Sequence, residues 1–194
     1  GEHAKRAAVF ESIISQMAKW TLDRSDQGPV YLGYRLGHIR NDGRVFRALV
    51  YNKGALTLHM LRRLIGDDTF FRGLRHFYTT WRFKKAGTED VKAAFEAESG
   101  RELDRFFDRW IYGSTLPRLK FSYTAEPDAV IVRFEQIGEV FDVPVTVTLE
   151  YANSSTDIVV PVTEPVTTRR IPLSGTLRGV KANSDDAAPV VLVR

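Results

Sequence analysis

The 194 residues are 43% hydrophobic and 27% charged, an ordinary globular balance, enough for one large domain or two small ones. Cysteine is absent, which excludes disulfides, thiolate zinc sites and cysteine nucleophiles, and no apolar run nears the ~20 residues that span a bilayer. The net charge of +4 is uneven, with 20 basic and 14 acidic residues in 1–115 against 8 and 10 in 116–194, but the basic residues come singly or in pairs among acids (Arg62-Arg63, Lys84-Lys85), as on a solvated helical surface, so no nucleic-acid partner is expected.

The chain starts at Gly1 without Met, which reads as the residue left by removal of a tag, and a piece of a longer protein is expected. Phe10, Ile13, Ile14 and Met17, extended by Trp20, form a first stripe at helical spacing. A Gly-rich connection, 28–43, holds the short apolar stretch Val30-Tyr31-Leu32. A helix is predicted from Val45 or Tyr51 to Ile65, apolar on most sides through Leu56, Leu58, Met60, Leu61 and Leu64, and therefore buried. Gly66 suits the left-handed residue that ends it, and Asp67 is predicted to cap the next helix, whose face is Phe70, Leu74, Phe77 and Trp81. Thr88 is predicted to cap a third helix, with Glu89 and Asp90 in its first turn and Gly100 as its stop. Leu103, Phe106, Phe107, Trp110 and Ile111 make a fourth stripe, and the short connections imply packed helical hairpins.

After Gly113-Ser114-Thr115-Leu116-Pro117 the period becomes two. Leu119, Phe121 and Tyr123 alternate with polar residues, as do Val143, Val145, Val147, Leu149 and Tyr151 with Pro144, Thr146, Thr148 and Glu150. Further strands are predicted near 129–136, 157–162, 166–172, 177–182 and 189–193, giving a small antiparallel sandwich. The expected organisation is α+β in two units, helical over 1–115 and β-sandwich over 116–194.

A search for chemistry finds no self-sufficient site. The histidines His3, His38, His59 and His76 have no histidine partner at helical spacing, and no H-E-x-x-H occurs; zinc needs three or four converging ligands. Asp67-Asp68 and Glu89-Asp90 sit at helix starts, where capping explains them. Ser99-Gly100 and Ser174-Gly175 lack a nucleophile elbow, and there is no phosphate-binding Gly-rich loop.

The helical part as a unit resembles a known family. Val50-Tyr51-Asn52-Lys53-Gly54-Ala55 is similar to the tyrosine motif of the aminopeptidase N (gluzincin) zinc aminopeptidases, where Tyr-x-Lys-Gly opens a helix. The pattern continues through Leu58-His59-Met60-Leu61-Arg62, Ile65-Gly66-Asp67, Phe70, Leu74-Arg75, Thr88-Glu89-Asp90, Ser99-Gly100, Phe106-Phe107 and Trp110. Gly113 and Pro117 resemble the family's exit from its catalytic domain, with Ser114-Thr115-Leu116 between them. Gln136 to Pro144, with Phe141-Asp142-Val143, resembles the start of its following β-domain.

The resemblance implies the α-helical C-terminal subdomain of a thermolysin-like catalytic domain followed by an antiparallel β-sandwich. It implies a zinc enzyme that hydrolyses N-terminal residues from peptides, its H-E-x-x-H helix, following zinc-ligand Glu and G-x-M-E-N-type segment all preceding the tyrosine motif. None of these is in the 194 residues, so this chain is expected to bind no zinc and to be inactive alone. The retained catalytic residue implied is Tyr51, which stabilises the tetrahedral intermediate; the residue alone reads more readily as a packing tyrosine at a helix start. Lys53 is expected to be a structural ion-pair donor and Gly54 to permit close helix packing. The stretch with Tyr31, Tyr34 and His38 is expected either to edge the substrate cleft or to pack on its own domain. Two other readings stay open: a noncatalytic scaffold that kept the fold, and a stand-alone helical and β-sandwich interaction module.

Overall fold

A computed structural model describes residues 53–193. Helices α1 (Lys53–Ile65), α2 (Asp67–Trp81), α3 (Thr88–Ser99) and α4 (Asp104–Phe107) come first, the last running into a π-helical turn, Asp108–Tyr112. Seven strands follow: β1 (Arg118–Ala125), β2 (Ala129–Gln136), β3 (Val143–Glu150), β4 (Ser155–Val162), β5 (Val166–Pro172), β6 (Gly179–Ala182) and β7 (Val191–Val193). The class is α+β. Contacts gather the described residues into two units, 53–59 with Asp67–Arg101, and Met60–Gly66 with 102–193.

The first unit is built on the pair α2 and α3. Phe70, Gly73, Leu74 and Phe77 recur at helical spacing and are buried on α2, facing the period of Val91, Ala94 and Phe95 on α3. The Phe70 and Phe95 rings stack at 5.3 Å. Gly73 leaves room for the Phe95 ring, because a Cβ there would lie 2.8 Å from Phe95 Cε1. Trp81, expected on the same face, is only half-buried.

Two caps differ from expectation. Thr88 is the first helical residue of α3 and its cap is Gly87, whose extended backbone (φ −124°, ψ −172°) sends its N–H to Asp90 Oδ2 at 2.7 Å. Asp90, in the first turn, thus reaches back to the N–H of the residue that caps the helix, as the acidic member of a capping box does. Asp67 likewise lies inside α2 as its first residue, where its charge still favours the helix N-terminus. The stops are as expected: Gly66 (φ +85°) and Gly100 (φ +64°) are left-handed, and their N–H groups reach Arg62 O at 2.9 Å and Glu96 O at 2.8 Å. The fourth stripe departs from regular α geometry, widening to the π turn that places Trp110 in the core and leaves Ile111 half-buried.

In the second unit the strands form sheets ordered β5-β2-β1-β7 and β4-β3-β6. All pairings are antiparallel except that of β7 with β1, which is parallel. Alternation sets the faces: Val130, Val132, Phe134 and Gln136 of β2 are buried, and Phe121 and Leu119 of β1 pair with Phe134 and Gln136. β3 breaks the half-exposed pattern its sequence suggested, since every residue from Val143 to Leu149 is buried. Val143 and Val145 pair with Val162 and Val160 on one face. On the other, Thr146 and Thr148 meet polar partners.

Candidate functional site

Tyr51 lies outside the described residues, as do His3, Tyr31, Tyr34 and His38. The described part of the helix that its motif was expected to open runs from Lys53, as α1, and where that helix starts lies outside the described residues. Burial holds the Lys53 ammonium below its ordinary range. Thr57 Oγ1 donates to Lys53 O at 2.8 Å, which satisfies a hydroxyl buried one turn into the helix. Leu58, Met60, Leu61 and Leu64 are all buried. Close packing at Gly54 was expected, yet among the described residues no atom lies within 4 Å of where its Cβ would be.

Near the end of α1 stands a group that the sequence did not announce. Arg63, read as solvated surface, has a side chain only 12% exposed. Its Nη2 donates to Thr146 Oγ1 on β3, and its Nη1 lies 3.7 Å from Asp185 Oδ2. Thr146 Oγ1 in turn donates to Asp185 Oδ2 at 2.5 Å. Burial pushes the Asp185 carboxyl up, but the Thr146 hydroxyl, the Ala187 N–H and the Arg63 charge outweigh it and hold it below its usual range. A threonine alternating with valines was a visible signal, but it marks any solvated strand face equally well.

The motif residues beyond Gly100 have structural work. Gln136 Oε1 accepts from Phe141 N at 3.0 Å, and Nε2 donates to Phe141 O at 2.9 Å and Glu164 O at 3.2 Å. That amide closes the turn 137–140 as a strand partner would. Phe141 packs on Trp110 with centroids 5.3 Å apart, and Trp110 Nε1 donates to Asp142 O at 2.9 Å. Arg105 grips Asp142 Oδ1 through Nη2 at 2.5 Å and Nε at 3.2 Å, and donates to Thr163 O at 2.7 Å. The hydrogen bond to Asp142 raises the Arg105 pKa, against burial. The second unit thus ties its helical turn to the head of β3, and none of these groups is placed for chemistry.

His59 is exposed, and His76 Nδ1 lies 3.1 Å from Glu98 Oε1. Among the described residues no three His, Asp or Glu side chains gather where a metal could be held, so these residues do not fit a zinc site. Among them, too, no helix is long and apolar enough to cross a membrane.

Comparison with known proteins follows the helical part. The model of the Peptidase family M1 domain matches residues 3–110. Aminopeptidase N of Lactococcus lactis subsp. lactis is 34% identical over 64 residues, 33% of this chain and 8% of that protein. Aminopeptidase M1 of Arabidopsis thaliana is 28% identical over 110 residues, 52% of this chain and 12% of that protein. This chain therefore spans a small part of these relatives. Among solved structures, Legionella pneumophila aminopeptidase A in complex with aspartic acid superposes with a TM-score of 0.66 over 78% of this chain and 18% of that one, at 18% identity, a likeness of fold. The family match covers more than half of the 194 residues, and the chain belongs to peptidase family M1.

Proposed function

We propose that this chain is the C-terminal portion of a zinc aminopeptidase that hydrolyses N-terminal residues from peptides. In this reading residues 1–115 are the helical subdomain of the catalytic domain and 116–194 the β-sandwich that follows. The observation that carries it is the family match over residues 3–110, which runs through Tyr51-Asn52-Lys53-Gly54 and ends before β1 begins. Aminopeptidases of bacteria and plants among the relatives support the peptide substrate.

In this reading the zinc is held by residues of the longer enzyme outside this chain. This chain contributes Tyr51. Attack of water on a peptide carbonyl puts negative charge on the former carbonyl oxygen. A neutral phenol, with an ordinary pKa near ~10, donates a hydrogen bond to that oxygen without ionising. A preorganised donor of this kind is worth on the order of 3 kcal/mol.

By the same reading the chain alone has no activity. The test is hydrolysis of aminoacyl anilides by the isolated chain and by the complete reading frame that contains it. Turnover confined to the longer protein, and abolished by a chelator, is the expected result. Chelator-sensitive turnover by the 194 residues with stoichiometric bound zinc would overturn the assignment of the metal to other residues. A longer protein with neither zinc nor turnover would favour the scaffold instead.

A further inference from the structure

We infer that the turn closing α2 is a docking element, Phe83 and the cations around it fitting an apolar socket rimmed by carboxylates on a part of the longer peptidase outside these 194 residues. This rests on the reading of the chain as a portion of such an enzyme.

Helices α1, α2 and α3 all end on left-handed backbone. Gly66 and Gly100 supply it after α1 and α3, where the lack of a Cβ makes glycine the usual choice. After α2 the same role falls to Phe83, at φ 61°. Arg82 N donates to Tyr78 O at 3.0 Å and Lys84 N to Trp81 O at 2.9 Å, so the chain closes there as a regular helix stop. Left-handed backbone is unfavourable for a residue with a Cβ. The other described non-glycines that adopt it, Asn183 and Asp186, are of the types that tolerate it. Little of the chain's own fold rests on Phe83, which is 93% exposed, with the Arg82 guanidinium 4.8 Å from its ring centre. An exposed apolar residue by itself needs no explanation. A bulky one held in a strained conformation does, and such strain clusters where proteins bind.

The charge around Phe83 sets the chemistry of what it meets. Residues 69–88 hold five Lys and Arg and no Asp or Glu. Arg72 is met by Glu98, and Lys92 on α3 by Glu89. Arg75, Arg82, Lys84 and Lys85 are exposed, and among the described residues no carboxylate pairs with them. Arg75, Tyr78 and Arg82 follow one another at helical spacing, and Tyr78 is 54% exposed. Arginines beside exposed aromatic rings are the commonest anchors of protein interfaces, and four unpaired cations favour an acidic rim over a neutral or basic one. A fluid bilayer takes up a phenylalanine from any backbone conformation, whereas a ring held in one strained direction suits a shaped socket. Such a socket has room to exist, because the chain spans only 8% and 12% of the two aminopeptidases compared above.

The test compares this chain alone with the full-length protein that carries it. Hydroxyl-radical oxidation of the Phe83 ring, read by mass on its peptide, should be about tenfold slower or more in the full-length protein, since a docked anchor is shut off from water. Phe83→Gly should leave the melting temperature of the isolated chain within about 2 °C, because relief of the left-handed strain offsets the freer unfolded chain. The same change should lower the melting temperature of the full-length protein by more than that, as should Lys84→Glu combined with Lys85→Glu. A role confined to the chain's own fold would move both proteins alike. Should the isolated chain not fold, the two melting shifts in the full-length protein decide the matter. Equal oxidation in both proteins, or full-length variants as stable as the parent, would overturn the inference. Oxidation slowed only by added phosphatidylserine vesicles would make the occupant a membrane and overturn it too. A full-length protein that shields Phe83 yet has neither zinc nor turnover would leave the inference standing and remove the peptidase reading.

Discussion

Asp185 and Gly73 show how much hangs on single atoms in this chain. The Asp185 carboxyl is held below its ordinary pKa despite burial, by Thr146, Ala187 and Arg63. A carboxylate depressed in the folded state adds stability that is fully present above its unfolded pKa, near ~3.9, and is lost as pH falls through the lower folded value. The melting-temperature difference between the native chain and Asp185→Asn should therefore be constant near neutrality and close as the solution is acidified past the ordinary aspartate range. A difference that widens in acid would mean the carboxyl is raised instead. At Gly73 the sequence shows only a glycine inside a helix, which tertiary contact must justify. The justification is the Phe95 ring, itself fully buried and stacked on Phe70. Gly73→Val should overpack this contact and cost about 1–3 kcal/mol in denaturant unfolding, and an unchanged midpoint would show that the ring has room to move.

Among the elements, what the sequence displayed was whatever obeys a period or a backbone rule. The β strands were legible because Leu119-Phe121 and the Val143 to Leu149 series alternate, and Gly66 and Gly100 were legible as stops because only left-handed backbone needs them. Residue pairings between distant segments were not legible. The widening of Asp108–Tyr112 to a π turn follows from seating Trp110 against Phe141 and Asp142, contacts that no local window contains. Gly113 fits that turn because a Cβ would press on the Arg109 carbonyl, 3.1 Å from its carbon. Burial of Arg63 was hidden for the same reason, as its partners are Thr146 and Asp185. Trp110→Phe should keep most of the packing, leave the Asp142 carbonyl without its indole donor, and cost about 1–3 kcal/mol. Thermal unfolding checks this, and a neutral result would mean water replaces the indole.

For the whole molecule, the α+β class and the family could be argued from the sequence, whereas the catalytic machinery could be argued only in part. The Tyr-x-Lys-Gly segment is in the chain, and no H-E-x-x-H occurs in its 194 residues. What the chain supplies in this reading is one hydrogen-bond donor, Tyr51. The measurement that bears on this most directly is the kcat of Tyr51→Phe in the full-length enzyme. Phenylalanine keeps the ring and removes only the hydroxyl, and the oxyanion charge it would meet develops in the transition state, so the loss should fall on kcat. The account predicts a fall of about a hundredfold or more, with folding, zinc content and KM nearly unchanged. Full kcat with normal metal content would contradict it and return Tyr51 to a packing role.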